Sequence, residues 1–152
     1  MRGKLVLGSL VLVLGSGYGV AVFAQAKPDV LVKQRQAAMV LQGKYFGPLA
    51  GMASGKVPYN AETVARNAGY LDALNRMPWD GFNENTKDEK SRALPAVFTD
   101  GAKFKEAINQ SATAVAQLVK VSKGGDEATV KAAINDVNKS CGGCHDNFRA
   151  KQ

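Results

Sequence analysis

The sequence predicts an all-α protein, an antiparallel four-helix bundle with one long connection between the second and third helices. Three observations lead there. Apolar residues recur at intervals of three and four through four separate segments, and no stretch sustains the period-two alternation of a half-buried strand. The segments are joined by two short connections and one long one, which sets neighbouring helices antiparallel and leaves a single crossover. At 152 residues with 45% apolar content, the chain is long enough for one domain and too short for two ordinary ones.

Residues 1–24 read as a secretory leader rather than as part of that domain. Arg2 and Lys4 precede an apolar run from Leu5 to Val22 that ends in small residues, with cleavage expected after Ala24. The run is nearly long enough to span a bilayer, so an uncleaved anchor is the competing reading. Glycines at 15, 17 and 19 and the small residues that follow favour cleavage. Residues 25–152 are then expected to be an exported domain with no membrane segment once the leader is gone.

The first helix is expected over about 27–53. Pro28 and Asp29 suit its first turn, Val32, Met39 and Phe46 repeat at seven with Ala38, Leu41 and Leu49 beside them, and Gly51 and Gly55 end it. Asn60 caps a second helix, 61 to about 77, with Val64, Ala68, Leu71 and Leu74 inward and Pro78 as its stop. From Pro78 to Asp100 no period is sustained, and a loop of that length is usually a functional strap or a crossover. A third helix, about 101–122, carries Phe104, Ile108, Ser111, Val115 and Leu118. Gly124 and Gly125 turn the chain, Asp126 caps, and a fourth helix to about 150 lines up Val130, Ile134, Val137, Cys141, Cys144 and Phe148.

The chemistry lies at the end of that last helix, in Cys141-Gly-Gly-Cys144-His145. Helical residues at i, i+3 and i+4 share a face, so two thiols and an imidazole project together. Covalent haem attachment needs that arrangement: two thiols to add across two vinyl groups, and an imidazole immediately after them to reach the iron. A thioredoxin-like dithiol belongs at a helix start after a strand. A zinc site would lack its fourth ligand, because these are the only cysteines and the only histidine. A disulfide across so short a loop would constrain almost nothing.

With no second histidine, a sixth iron ligand could come from Met39, Met52, Met77 or, less plausibly, a lysine; otherwise the iron has no second protein ligand. Met39, on the first helix's stripe, is the best-placed of these, although methionine at such spacing is commonly core. Arg35 stands four residues before it and has two open readings, an arginine meeting a haem propionate or one that snorkels to water. No groove of cations with interleaved aromatics points to nucleic acid: the 20 basic residues are interspersed with 13 acidic ones.

Residues 25–29, 33–39 (Lys-Gln-Arg-Gln-Ala-Ala-Met), 56–60 (Lys-Val-Pro-Tyr-Asn), 77–82 (Met-Pro-Trp-Asp-Gly-Phe) and 141–149 together resemble the cytochrome c′ family. The haem motif is shared by every c-type cytochrome, so its C-terminal placement and the Arg-Gln-x-x-Met and Pro-Trp segments make the likeness specific. The resemblance implies a periplasmic protein, commonly a homodimer through its first two helices, with one haem c bound through Cys141 and Cys144. It implies five-coordinate high-spin iron held by His145, with Met39 crowding the opposite face, Arg35 and Gln36 at the propionates, and Arg149 beside the proximal face. It further implies binding of nitric oxide and carbon monoxide against dioxygen, and electron transfer with an unidentified partner protein.

A wall of Met39 and apolar neighbours would offer no hydrogen bond to polarised dioxygen, and so is expected to favour the other two gases. The rival within the fold is a low-spin electron carrier with Met39 as sixth ligand. An enzyme such as a peroxidase is not expected, because no histidine is free for acid-base work and no carboxylate shares the stripe of Val32, Met39 and Phe46.

Overall fold

A computed structural model describes residues 26–151; the expected leader and its cleavage after Ala24 lie outside the described residues. Four long helices form the bundle: α1 (Pro28–Ala53), α2 (Ala61–Leu74), α4 (Gly101–Val121) and α5 (Glu127–Phe148), with a four-residue α3 (Ala96–Thr99) in the crossover. The long helices close a ring in which α1 packs on α2, α2 on α4, α4 on α5 and α5 back on α1. No described helix is long and apolar enough to cross a membrane.

The caps explain most boundaries. Pro28 opens α1. Asn60 Oδ1 accepts from Thr63 N at 2.7 Å, and Asp126 Oδ1 from Thr129 N at 2.9 Å, each satisfying an amide of a first helical turn. Gly51 lies inside α1, which runs on to Ala53, and the positive φ of 73° that turns the chain belongs to Gly55. At the other turn a Cβ on Gly125 would meet Val121 O at 2.7 Å, so a side chain has no room there. The second helix stops earlier than its pattern suggests, at Leu74 rather than Met77. Arg76 N and Met77 N donate to Ala73 O and Leu74 O in tightened i→i+3 turns ahead of Pro78.

The inward stripe of α1 also differs from expectation. Its buried members are Val32, Arg35, Ala38, Leu49 and Met52, while Leu41 is exposed and Met39 and Phe46 are half-buried. The expected stripes of α2, α4 and α5 point inward. Asn67, buried on α2, donates from Nδ2 to Tyr45 O at 3.0 Å and pins α2 to α1.

The interior is divided in two. One cluster, around Leu49, Val64, Leu71, Leu118, Ile134 and Val137, fills the end nearer the α1–α2 and α4–α5 turns. The other, around Val97, Phe104 and Phe148, gathers Trp79 and Phe82 from the crossover. Its rings pack edge-to-face, Phe82 on Phe104 at 5.2 Å and Phe104 on Phe148 at 5.1 Å. Cys141 borders the first cluster and Cys144 the second.

The crossover is more ordered than a patternless stretch suggests. It contains 3₁₀ turns at Trp79–Gly81 and Glu84–Thr86 that lie on α1, then α3 against α4 and α5. Gly81 makes the closest approach: a Cβ there would stand 3.0 Å from Leu31 O and 3.1 Å from Arg35 Cβ. We therefore expect Gly81→Ala to lift the crossover from α1 and lower stability by about 1–3 kcal/mol, the usual range for overpacking. Urea unfolding of the two proteins checks this, and equal midpoints would mean the contact yields freely.

Candidate haem site

Beside the second cluster lies a cavity of about 410 Å³, lined by Arg35, Gln36 and Met39 from α1, Cys141, Cys144 and His145 from α5, and Arg149 just beyond, the residues expected at the haem. The α5 group follows from helical spacing, which stacks the two cysteines and the histidine on one face. Burial raises the pKa of both thiols above the ordinary cysteine range; for Cys144 the neighbouring Cys141 adds to the rise, against a weaker pull from Arg149. A reactive dithiol needs the opposite shift. Among the described residues no cluster of three or more His, Cys, Asp or Glu stands ready for a metal, so the zinc reading gains no further ligand.

His145 is pushed below its usual pKa, first by burial and then by the charges of Arg149 and Arg92, with Asp146 opposing. A neutral imidazole is the form that can donate a nitrogen lone pair to iron.

Arg35 answers the question its sequence position leaves open. It is 3% exposed, so the snorkelling reading is wrong. Its Nη1 donates to Gly81 O and to Thr86 Oγ1 (3.1 Å), and its Nη2 to Ser91 Oγ at 3.0 Å. The guanidinium carbon stands 4.2 Å from the centre of the Phe82 ring. Burial lowers its pKa, yet a guanidinium keeps its proton at any physiological pH. No carboxylate pairs with it among the described residues. Nε–H has no protein acceptor, and no sealed side-chain nitrogen lacks a partner, so Nε opens onto the cavity that Arg35 lines.

The crossover supplies lining residues that sequence reasoning missed: Trp79 and Phe82, and then the run Ser91, Arg92 and Ala93. They are placed by an antiparallel bridge between Ala93 and Arg149. Leu94 N donates to Phe148 O (3.0 Å), Ala150 N to Arg92 O (2.9 Å) and Arg92 Nε to Ala150 O (3.1 Å). A single bridge has no pattern in sequence, and only the cations flanking it at 92 and 149 could have hinted at the site. The wall near Met39 is also less apolar than expected, because Gln42, Asn75 and Ser111 line it. Of the methionines among the described residues only Met39 reaches the cavity: Met52 is buried in the first cluster, and Met77 is 58% exposed on the surface.

The group the sequence points to fits this cavity. Three guanidiniums and no carboxylate line it, an arrangement that leaves positive charge to be met by an anionic ligand such as a pair of propionates. Two unpaired thiols and the imidazole stand on one wall.

Known proteins agree. The family model described as cytochrome c′ matches residues 30–149. The chain belongs to the cytochrome c′ family. Cytochrome c′ from Rubrivivax gelatinosus is 39% identical over 126 residues, covering 82% of this chain and 98% of that one. A nitric oxide complex of a variant cytochrome c prime from Alcaligenes xylosoxidans superposes with a TM-score of 0.77 at 34% identity, over 84% of this chain and 98% of that one. Cytochrome c prime from Shewanella frigidimarina gives a TM-score of 0.78 at 30% identity, over 82% and 97% of the two chains. As a member of the cytochrome c′ family, the chain is a c-type haem protein with the Cys-x-x-Cys-His attachment motif.

Replacing Arg35 by Met keeps the side chain's reach and removes its donors. We expect about 2 kcal/mol of lost stability from the three severed hydrogen bonds, with Lys recovering only part because an ammonium lacks the planar fork. Thermal unfolding of the three proteins measures it.

Proposed function

We propose that the mature domain, 25–152, is an exported periplasmic cytochrome carrying one haem c, bound to Cys141 and Cys144 through thioethers. His145 is the iron's only protein ligand, and Met39 crowds the opposite face. The protein binds nitric oxide and carbon monoxide and passes single electrons to a partner protein that the sequence does not identify. The haem, when bound, supplies an iron that can take a diatomic ligand or change oxidation state. The chain's own residues hold, orient and shield it. Arg35 and Gln36 receive the propionates, and Arg149 and Arg92 place positive charge beside His145.

The observation that carries this reading is the division of the cavity walls. The sole imidazole and both thiols stand on the α5 side, and on the α1 side the only sulfur is that of Met39. The nitric oxide complex solved for the Alcaligenes relative supports the choice of gas. No carboxylate lines the cavity, which supports a binding and carrier role over peroxidase-like chemistry. Export is supported by the basic start and apolar run of residues 1–24.

Pairing through the first two helices is supported by where apolar surface remains. Among the described residues the large exposed apolar side chains are Val40 and Leu41 on α1, Tyr70 on α2, and Val57 and Met77 just beyond those two helices, with none on α4 or α5. Val40 alone is 71% exposed.

Two measurements test the proposal. Expressed with its leader, the protein should be coloured and keep its pigment in acidified acetone. Its ferric spectrum should be high-spin, it should respond to nitric oxide and carbon monoxide when reduced, and it should change little on Met39→Leu. A methionine–iron band at the red end of the visible, abolished by Met39→Leu, would instead establish the six-coordinate carrier. For the interface, Val40→Asp should turn a dimer into a monomer at micromolar concentration by light scattering. A wild-type monomer would refute the pairing.

A further inference from the structure

We propose that Asn75 is the donor of a polar ligand subsite on the Met39 side of the cavity, taking a small ligand that accepts a hydrogen bond at its free end. The inference rests on the haem reading above.

Asn75 closes the C-terminus of α2 and is 5% exposed. Every polar atom it has but one is committed. Its N–H donates to Leu71 O at 2.8 Å, its C=O accepts from Trp79 Nε1, and its Oδ1 accepts from Ser111 Oγ at 3.2 Å. Ser111 is itself buried, at 7% exposure on α4, and that bond gives its proton an acceptor. The Nδ2 amide is left over and donates to no group among the described residues. No side-chain nitrogen sealed from solvent lacks a partner, so this amide opens onto the cavity that Asn75 lines.

The wall can be assigned by packing. Gln42, one turn after Met39 on α1, donates from Nε2 to Leu74 O at 3.1 Å and so joins Met39's helix to the residue preceding Asn75. Asn75 therefore belongs with Met39, across the cavity from the α5 residues. Of its neighbours, Gln42 Nε2 donates to Leu74 O and Trp79 Nε1 to Asn75 O, so beside Arg35, whose free donor the propionates would take, Nδ2 is a fixed donor facing the space next to Met39. Three anchors hold it, so little entropy is lost when a ligand accepts the bond.

An amide donor favours ligands whose outer atom carries negative charge over neutral, weakly polarised ones. This side of the pocket would then stabilise azide, cyanide or polarised dioxygen, contrary to the apolar wall expected from sequence, while a flexible Met39 still controls entry by volume.

The test uses haem-loaded wild type, Asn75→Leu and Ser111→Ala. In the infrared, the C–O stretch of the ferrous carbon monoxide complex should rise in Asn75→Leu, because loss of a donor weakens back-bonding. Ser111→Ala should shift or broaden the same band by releasing the amide. Ferric azide affinity should fall about tenfold or more in Asn75→Leu, as for a lost hydrogen bond to a charged group. An unchanged stretch and affinity in Asn75→Leu would overturn the subsite. If that variant fails to fold, Ser111→Ala decides, and an unchanged band there overturns it equally. Absence of any C–O band in wild type would instead defeat the reading of an iron open to gases, and the subsite with it.

Discussion

A buried guanidinium without a carboxylate sets the form of this end of the bundle. Arg35 sits on the inward face of α1, where an aliphatic residue would ordinarily fill the seam, and its charge must be met by something. The crossover meets part of it, with a carbonyl from Gly81 and hydroxyls from Thr86 and Ser91 converging on one fork. That convergence is why a long, patternless connection folds into 3₁₀ turns against α1 rather than hanging free. It also explains Gly81, since the carbonyl can approach only where no Cβ intervenes. The unsatisfied remainder of the charge faces inward, and so the interaction that ties down the crossover also makes the cavity attractive to anions.

The opposite wall is built on a different principle. The attachment motif occupies the last turns of α5, where the helix could fray, and the chain beyond it is fastened by the bridge of Ala93 to Arg149 and by Arg92 closing on Ala150 O. Crossover and tail thus hold each other, and both are held to α1 through Arg35. Burial raises the pKa of both thiols and, with two nearby guanidiniums, lowers that of the imidazole, which favours the neutral ring that can ligate iron. Burial is the leading cause of all three shifts, so the same lack of water that closes the site also sets its protonation.

What the sequence makes legible is whatever has a period or a short spacing. The four long helices follow from apolar recurrence and caps, and Cys141, Cys144 and His145 from three positions on one helical face. Leu41 was misplaced because it stands nine residues from Val32, about half a turn around the helix from that buried side chain. Arg35 was undecidable for another reason. Whether an arginine beside an apolar stripe snorkels or is enclosed depends on partners at 81, 86 and 91, which come close only after the crossover has folded. The bridge at 93 and 149 and the Asn75–Ser111 pair are likewise single contacts between distant segments, with no local signature. Sequence therefore foretold which side chains of α5 line the cavity and said less about the wall that faces them.

That asymmetry bears on ligand choice. The iron-side chemistry is written in a contiguous motif that any c-type cytochrome shares, so it says little about which small molecule is preferred. Discrimination belongs to the facing wall, where a few side chains from α1, α2 and α4 meet across long sequence separations. There, on the proposed reading, Met39 would contribute volume and a rotameric gate, and Asn75, fixed by Ser111, a directed dipole. The two act on different properties of a ligand, its size and the charge at its free end, and neither compensates for the other. A bundle of this kind can therefore retune its preference by exchanging one or two facing residues without disturbing the covalent attachment on α5. Polarity at 75 and 111 is where this chain has room to depart from a wholly apolar wall.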